Sequence, residues 1–191
     1  MAEHALKIGL VGPLPPPSGG MANQTEQLAL LLAGEGCSVE TIQVNAPYRP
    51  AWAGRIKGVR AVARMLPYLA ALWHSAGRVD LMHVMANSGW SWHLFAAPAI
   101  WIGWLRGCPV VVNYRGGEAG TFLAKSLASV RPSLQRASAL VVPSGFLESV
   151  FGQHSIGTIV VPNIINLERF NSDRAAADTL DAPRLLVARN L

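Results

Sequence analysis

Residues 6–22, LKIGLVGPLPPPSGGMA, decide the fold of this chain. The run before the first proline carries one charge, Lys7, and is otherwise apolar or glycine, which is typical of a strand buried on both faces of a parallel sheet. A proline-rich loop follows and ends in Gly19 and Gly20, directly before a helical pattern. This order of strand, glycine loop and helix predicts the opening of a βαβ unit.

Short apolar runs alternate with longer helical patterns over most of the chain. Strands are predicted at 6–11, 38–44, 79–85, 109–114, 139–142 and 158–161. Helices are predicted at 22–33, 54–75, 90–105, 121–136 and 145–151. The fold class is therefore α/β, with a Rossmann-like parallel sheet and helices on both faces. Gly34, Gly77 and Gly107 each precede a strand, and we predict that they cap the preceding helices.

The pattern changes near the C-terminus. We predict a domain at 1–170, a small polar linker at 171–182 and a fresh strand at 183–191. A linker followed by a new strand usually opens a second domain, so the chain is expected to be truncated near a domain boundary.

Composition and charge exclude several classes of protein. Hydrophobic residues make up 51% of the 191 residues and charged residues 14%, which excludes disorder and coiled coil. The formal charge is +5, and residues 52–104 hold five basic side chains and one acidic one as well as all six tryptophans. No groove-reading motif accompanies this modest local charge, so a nucleic-acid partner is not expected.

The two cysteines and the N-terminus bear on location. Cys37 and Cys108 are too few for a disulfide framework or a cysteine zinc site, so no metal is expected. No signal peptide is visible, which favours the cytoplasm. Residues 86–105 lack Asp, Glu, Lys and Arg, but they contain polar residues, glycine and proline, so a buried or interfacial helix is favoured over a membrane span.

The glycine loop allows two interpretations. Gly19 and Gly20 at a helix N-terminus leave backbone N–H groups that can bind a phosphate. They also serve equally well in a plain tight turn. The loop lacks the Gly-Lys-Ser/Thr of a P-loop and the Gly-x-Gly-x-x-Gly spacing of a dinucleotide site.

The predicted helix at 54–75 is amphipathic and basic. At 100° per residue, its basic stripe comprises Lys57, Arg60 and Arg64, and the apolar residues spread over the opposite side. The stripe suits the anionic inner face of a membrane or a lipid-phosphate acceptor. Solvated charges on an ordinary surface helix are the alternative. Pro67 is expected to break or kink the helix.

Aromatic and histidine residues follow the third strand. Trp90 and Trp92 stand at a predicted helix start near the carboxyl edge of the sheet, where such sheets bind ligands, and can stack on a sugar or hold a lipid chain. His93 is the acid–base candidate, whereas His83 inside the strand is expected to be a satisfied core or supporting residue. Two later tryptophans are predicted to be core residues: Trp101 and Trp104.

Four stretches in order resemble the N-terminal half of family-4 glycosyltransferases of the GT-B fold. They are PPPSGGMA at 15–22, GCPVVVNYRGG at 107–117, VVPSGFL at 141–147 and VPNIINLERF at 161–170. The resemblance implies two Rossmann-like domains across a cleft, with the acceptor bound mainly by this one and the nucleotide sugar mainly by the missing C-terminal one. It also implies sugar transfer with retention of anomeric configuration, and no cofactor besides the nucleotide-sugar co-substrate.

The resemblance, together with the positions of residues near the predicted carboxyl edge of the sheet, gives the candidate site residues. Phosphate or donor contacts are expected from Ser18, Gly19, Gly20 and Arg189. Acceptor contacts are expected from Asn87, Trp90, Trp92, Gly116, Ser144 and Asn163. The catalytic candidates are His93 and Arg115.

Two departures from the family pattern matter. Many relatives carry a His-Gly pair after the fourth strand, whereas Arg115-Gly116 stands here, and arginine cannot act as a general base. A surface salt bridge with Glu118 is the alternative role for Arg115. The family's Lys and E-x7-E residues lie in a domain that this chain lacks, so the chain alone is expected to be inactive.

The sequence thus predicts the acceptor side of a transferase that moves a hexose from a nucleotide sugar to a glycan or lipid-linked acceptor. The competing hypothesis is a non-catalytic module that binds a phosphorylated sugar or lipid at a membrane surface.

Overall fold

A computed structural model describes residues 5–48, 52, 55–56 and 59–165. The strands are β1 Lys7–Gly12, β2 Ser38–Gln43, β3 Leu81–Ala86, β4 Val110–Tyr114, β5 Ala139–Val142 and β6 Ile159–Val160. The helices are α1 Gly20–Gly34, α2 Val59–Ser75, α3 Ala97–Leu105, α4 Ala119–Leu134 and α5 Gly145–Gly152. The predicted linker at 171–182 and strand at 183–191, with Arg189, lie outside the described residues.

All six strands pair in parallel, in the order β2-β1-β3-β4-β5-β6. This confirms the α/β, Rossmann-like fold class. The chain winds from β1 to β2 on one side and then crosses to β3 on the other, so the topology switches between β1 and β3. Open α/β sheets bind ligands in the crevice at such a point, beyond the carboxyl ends of the strands.

The core lies on both faces of the central strands. Leu10, Val84 and Val112 are completely buried, one from each of β1, β3 and β4. Burial on both faces explains why these strands are almost uniformly apolar in sequence. Aromatic rings close the core at the carboxyl end of β4, where Tyr114 packs edge-on against Phe151 with ring centroids 5.1 Å apart.

A close approach at Gly12 seats α1 on the sheet. A Cβ atom at Gly12 would lie 2.7 Å from the Oγ1 atom of Thr25, a distance that no side chain tolerates. Thr25 is itself buried and donates its hydroxyl hydrogen to the Met21 carbonyl at 2.9 Å. Glycine at the end of β1 therefore fixes where the first turn of α1 lies relative to the sheet.

The predicted helix caps are right at one position and wrong at two. Gly107 has a φ of 69° after α3, as a left-handed cap requires. After α1 the left-handed glycine is Gly36, with a φ of 83°, and Gly34 is the last residue of the helix. Gly77 does not adopt positive φ. The helix α1 thus includes the glycine that the sequence pattern placed just after its end.

The segment at 90–105 is not one regular helix. A π-helical turn at Trp92–Ala96 precedes the nine-residue α3, which carries a proline in its first turn. In the part of the chain that the structure describes, no helix combines the length and the apolar composition that crossing a bilayer requires. This finding agrees with the prediction that residues 86–105 form a buried or interfacial helix and not a membrane span.

The helix α2 buries only part of its apolar surface. Its buried residues are Tyr68, Leu72 and Ser75, and the Tyr68 hydroxyl donates to the Phe95 carbonyl at 2.8 Å. Four of the apolar residues opposite the basic stripe lie in solvent: Val59, Val62, Leu66 and Trp73. Tyr68 anchors the helix through a face that places those residues outward, and Pro67 lies inside the continuous helix.

The two tryptophans of α3 are also more exposed than predicted. Trp104 is 50% exposed, and Trp101 is partly buried. The guanidinium of Arg136 lies over both rings, 3.8 Å from the Trp101 centroid and 4.8 Å from that of Trp104. A cation stacked between two indoles takes the place of the core packing expected from their spacing.

Candidate active site

The proline-rich loop after β1 is held in place by Asn45, which lies two residues after the end of β2. The Oδ1 atom of Asn45 accepts from the Leu14 amide at 2.9 Å, and its Nδ2 atom donates to the Leu14 carbonyl at 2.8 Å. The loop therefore has a fixed path along the carboxyl edge of the sheet. It delivers Ser18, Gly19 and Gly20 to the start of α1.

The first turn of α1 is open. Gly19 is the N-cap, no side chain caps the helix, and the turn contains no acidic residue. Ser18, Gly19 and Gly20 are exposed, and a Cβ atom at either glycine would meet nothing within 4 Å. The backbone N–H groups of this turn are accessible to an anion, as the phosphate interpretation requires.

Arg115 stands at the end of β4 and joins three elements. Its Nε atom donates to Oδ1 of Asn113 at 3.1 Å, and its Nη1 atom donates to Oε1 of Gln24 in α1 at 3.0 Å. Nη1 also donates to Oδ1 of Asn163, in the segment after β6. The expected alternative, a salt bridge with Glu118, is absent in the described part of the chain.

Asn113 transmits the polarity of Arg115 to His83. Because arginine has no acceptor, the amide of Asn113 must turn its oxygen toward Arg115 and its Nδ2 group toward His83. That group lies 3.1 Å from Nε2 of His83 and donates to it, so Nε2 carries no hydrogen and the ring is neutral. His83 is thus a supporting residue, as expected.

Burial reinforces the neutral state of His83. Burial and, to a smaller extent, the neighbouring Arg115 charge together lower the pKa of the imidazole from 6.5 to about 4. Burial also lowers the pKa of the Arg115 guanidinium, which stays a cation at neutral pH. This cluster therefore supplies a fixed positive charge and offers no general base at neutral pH.

Gln24 ties the segment after β6 to α1. Its Nε2 atom donates to the Ile164 carbonyl at 2.8 Å, and its Oε1 atom accepts from the Ile164 amide at 3.1 Å. The same oxygen accepts from Arg115. One glutamine side chain therefore connects the helix at the glycine loop, the end of β4 and the chain that leaves the last strand.

A second polar contact lies beside Arg115. The Tyr114 hydroxyl is 2.8 Å from Oγ of Ser88, in the loop after β3. Gly116 is buried against this pair, because a Cβ atom there would lie 2.6 Å from the Tyr114 hydroxyl. Gly116 is therefore needed for close packing of the loop, and the structure does not expose it to an acceptor.

The aromatic candidates divide into one exposed and one buried residue. Trp90 is 78% exposed, and its ring lies edge-on to His93 with centroids 6.2 Å apart. Trp92 is only 1% exposed and packs against Tyr114 and Phe122. The predicted stacking role for Trp92 is therefore wrong, because the π-helical turn directs its side chain into the core.

His93 is separate from the Arg115 cluster in its contacts. The ring is partly buried between Trp90 and Phe122, whose centroid lies 6.1 Å away. Within the described residues, no side chain hydrogen-bonds to it and so none orients its nitrogens. Its acid–base role stays a prediction.

The other predicted residues have local contacts. Asn87 is exposed and accepts from the Ser88 amide at 2.8 Å. Ser144 caps α5 by accepting from the Leu147 amide at 3.4 Å. Asn163 is exposed and meets Arg115. Acceptor contacts by these three residues stay predictions.

The predicted basic stripe of α2 is not a continuous surface of charges. Arg60 is exposed, whereas Arg64 is partly buried and its guanidinium lies 4.4 Å from the centroid of the Tyr48 ring. Lys57 lies outside the described residues. The expectation that Arg64 faces a membrane is therefore wrong, because the side chain folds over Tyr48 toward the groove between β2 and α2.

Three residues of the site were missed at the sequence level: Gln24, Asn45 and Asn113. Asn113 had a signal, since it interrupts the apolar run of β4 directly before Tyr114 and Arg115. Gln24 and Asn45 had none beyond their positions near the ends of elements. Within the described residues, no three His, Cys, Asp or Glu side chains come together as metal ligands.

Comparison with known proteins identifies the family. Residues 19–163 match the glycosyl transferase 4-like domain, and the chain belongs to this family. The match begins at the N-cap of α1 and ends at the asparagine that meets Arg115, so it encloses the cluster described above. No curated protein matches the chain.

Similar solved structures include a 2-deoxyribosyltransferase from Bacillus psychrosaccharolyticus, which is 15% identical with a TM-score of 0.38 over 59% of this chain and 74% of that one. An oxidoreductase from Corynebacterium diphtheriae is 17% identical with a TM-score of 0.33 over 72% of this chain and 79% of that one. Neither likeness is close enough to bear on the site.

Proposed function

We propose that this domain forms the acceptor side of a retaining glycosyltransferase. A nucleotide-sugar donor, held mainly by a second, C-terminal domain, gives its hexose to a glycan or lipid-linked acceptor held here. Membership of the glycosyl transferase 4-like family supports transfer of a sugar. The acceptor, the donor, the retention of configuration and the second domain are parts of the proposal.

The observation that carries the proposal is the Arg115 cluster at the carboxyl edge of the sheet. Gln24, Asn113 and Asn163 hold the guanidinium from three elements, at the edge where parallel α/β sheets bind ligands. The cation is therefore positioned before a substrate arrives. Preorganised charge of this kind stabilises the negative charge that develops on a leaving group, and it does so without reorganisation during reaction.

Trp90 is proposed to bind the acceptor. Its indole is exposed and lies in the loop that follows β3, so the apolar ring face is available to a sugar ring. His93 lies against it and is the proposed proton-transfer residue. No cofactor is proposed besides the nucleotide sugar.

The test is transfer of labelled sugar from a panel of nucleotide sugars to soluble and polyprenyl-linked glycan acceptors. The 191-residue chain is assayed alone and with a donor-binding domain supplied as a second chain. We expect transfer only with both, loss of transfer in Trp90→Ala, and retention of anomeric configuration in the first product by NMR. If none of the donor and acceptor pairs supports transfer, the non-catalytic binding module remains as the function.

A second candidate function, attachment to an anionic membrane at the cytoplasmic face, is favoured by the exposed stripe of α2. Val59, Val62, Leu66 and Trp73 share one helix face and are 40%, 56%, 63% and 50% exposed. Arg60 is exposed beside them, and the Arg106 guanidinium lies 4.8 Å from the Trp73 centroid. An apolar stripe with tryptophan and flanking cations suits a headgroup interface.

Sedimentation with phosphatidylglycerol vesicles tests this second function. We expect Leu66→Asp and Arg60→Glu to reduce binding. Leu30→Asp is the matched control, because Leu30 is a similarly exposed leucine, 69%, on the separate helix α1. Equal binding by wild type and Leu66→Asp would remove the membrane candidate.

A further inference from the structure

Arg115 is a partly buried cation with no counter-ion in the described part of the chain. Its three acceptors are amide oxygens of Asn113, Gln24 and Asn163, which carry no net charge. The one ion pair among the described residues joins Arg78, just before β3, to Glu40 in the edge strand β2. Partly buried charges are normally paired, so a guanidinium without a counter-ion among residues 5–48 and 59–165 suits an anion that arrives from outside.

The hydrogen-bond geometry leaves one side of the guanidinium available. Nε and Nη1 are used by the three amides, and within residues 5–48 and 59–165 nothing accepts from Nη2. Arg115 as a whole is only partly buried. The amides thus orient the fork while they leave donors facing the open edge of the sheet.

Among the described residues near Arg115, no negatively charged group neutralises the guanidinium. The first turn of α1, one turn before Gln24, has no acidic residue and no capping side chain. His83 beyond Asn113 is neutral, and the Arg115 charge helps to lower its pKa, as an unneutralised cation would. Glu118, the nearest carboxylate along the chain, forms no ion pair with Arg115.

We propose that Arg115 binds a phosphoryl group that belongs to one of the two sugar substrates. The inference rests on the proposed transferase function for the source of that group, which is either the diphosphate of the nucleotide sugar or a phosphate on the acceptor. A guanidinium fork fits a phosphate through paired, charge-assisted hydrogen bonds, which a histidine at the same position would not supply. Arg115 is therefore a phosphate-binding residue and transfers no proton.

The experiment is calorimetric titration of the 191-residue chain with inorganic pyrophosphate. In Arg115→Gln we expect the affinity to fall by about 10- to 100-fold, the usual loss for hydrogen bonds to a charged group. Asn113→Asp should weaken binding comparably although Arg115 is intact, because the isosteric carboxylate would neutralise the guanidinium. Arg78→Gln, which removes a distant exposed arginine, is the matched control and should bind as wild type does.

Two further titrations identify the source of the group. Tighter binding of uridine diphosphate than of glucose 1-phosphate, lost in Arg115→Gln, places the phosphoryl group on the donor. The reverse order places it on the acceptor. Unchanged pyrophosphate affinity in both Arg115→Gln and Asn113→Asp would overturn the inference, and so would an equal loss in Arg78→Gln. Circular dichroism establishes whether each variant is folded. If Arg115→Gln does not fold, the pyrophosphate affinity of Asn113→Asp decides the inference.

Failure of this inference is distinguishable from failure of the proposed function. Pyrophosphate binding is measured without any sugar transfer. Transfer that persists in Arg115→Gln with unchanged affinity removes the phosphate site and keeps the transferase. Arg115-dependent binding without transfer by any donor and acceptor pair removes the transferase and keeps the anion site.

Discussion

The Oε1 atom of Gln24 accepts hydrogen bonds from Nη1 of Arg115 at 3.0 Å and from the Ile164 amide at 3.1 Å. One acceptor atom thus couples the candidate phosphate-binding cation to the backbone that leaves the last strand. In a two-domain transferase this backbone leads toward the second domain. The coupling offers a physical route by which ligand binding at Arg115 affects the path of the connecting segment.

Gln24→Ala should release that segment. The substitution removes two hydrogen bonds to Ile164 and one to Arg115, and each such bond contributes about 1 kcal/mol. We expect faster amide hydrogen exchange at Ile164 and a fall of about 1–3 kcal/mol in the free energy of unfolding. Asn23→Ala, at the adjacent exposed position, is the control. Unchanged exchange at Ile164 would show that other contacts hold the segment.

Gly116→Ala should destabilise the fold, whereas Gly117→Ala should not. A Cβ atom at Gly116 would lie 2.6 Å from the Tyr114 hydroxyl and also against Ser88, but at Gly117 it would meet nothing within 4 Å. We expect a loss of about 1–3 kcal/mol for the first, as for overpacking of a well-packed core, and little change for the second. Urea denaturation of the two variants measures the difference. Equal stability would mean that the Ser88 loop yields without penalty.

The sequence predicted the fold better than it predicted the faces and contacts. Strands that are buried on both faces must consist almost entirely of apolar residues, so apolar runs separated by helical patterns predict a parallel sheet. The strand β5 has the predicted bounds. The outward stripe of α2 was missed because periodicity identifies an apolar face without saying what covers it. The site was predicted at Arg115 and Asn163, but Gln24 depends on a contact between residues 140 positions apart.

Acid should destabilise the domain through His83. Its pKa is lowered from 6.5 to about 4 in the folded chain, so between these values the unfolded chain binds a proton that the folded chain does not. The free energy of unfolding should therefore fall as the pH drops through this window, by up to about 3 kcal/mol, and the contribution should be constant above and below it. Denaturation at pH 7 and pH 4.5 measures this change.

His83→Gln is the control for that pH dependence. The glutamine oxygen can accept from Asn113 as Nε2 does, but the side chain does not titrate. The variant should lose less stability than wild type between the two pH values. The same slope in both proteins would assign the acid sensitivity to other groups.

Asn113→Asp should raise the pKa of His83. The carboxylate would accept from Arg115 and from a protonated Nε2, in place of an amide that donates to the ring. Hydrogen bonding to the charged form, together with the negative charge, should raise the pKa of His83 above its wild-type value. NMR titration of the ring resonances measures the shift, and Asn163→Asp is the control because Asn163 contacts Arg115 and lacks a hydrogen bond to His83. An unshifted His83 pKa in Asn113→Asp would show that burial alone keeps the ring neutral, and that the amide does not transmit the polarity of Arg115.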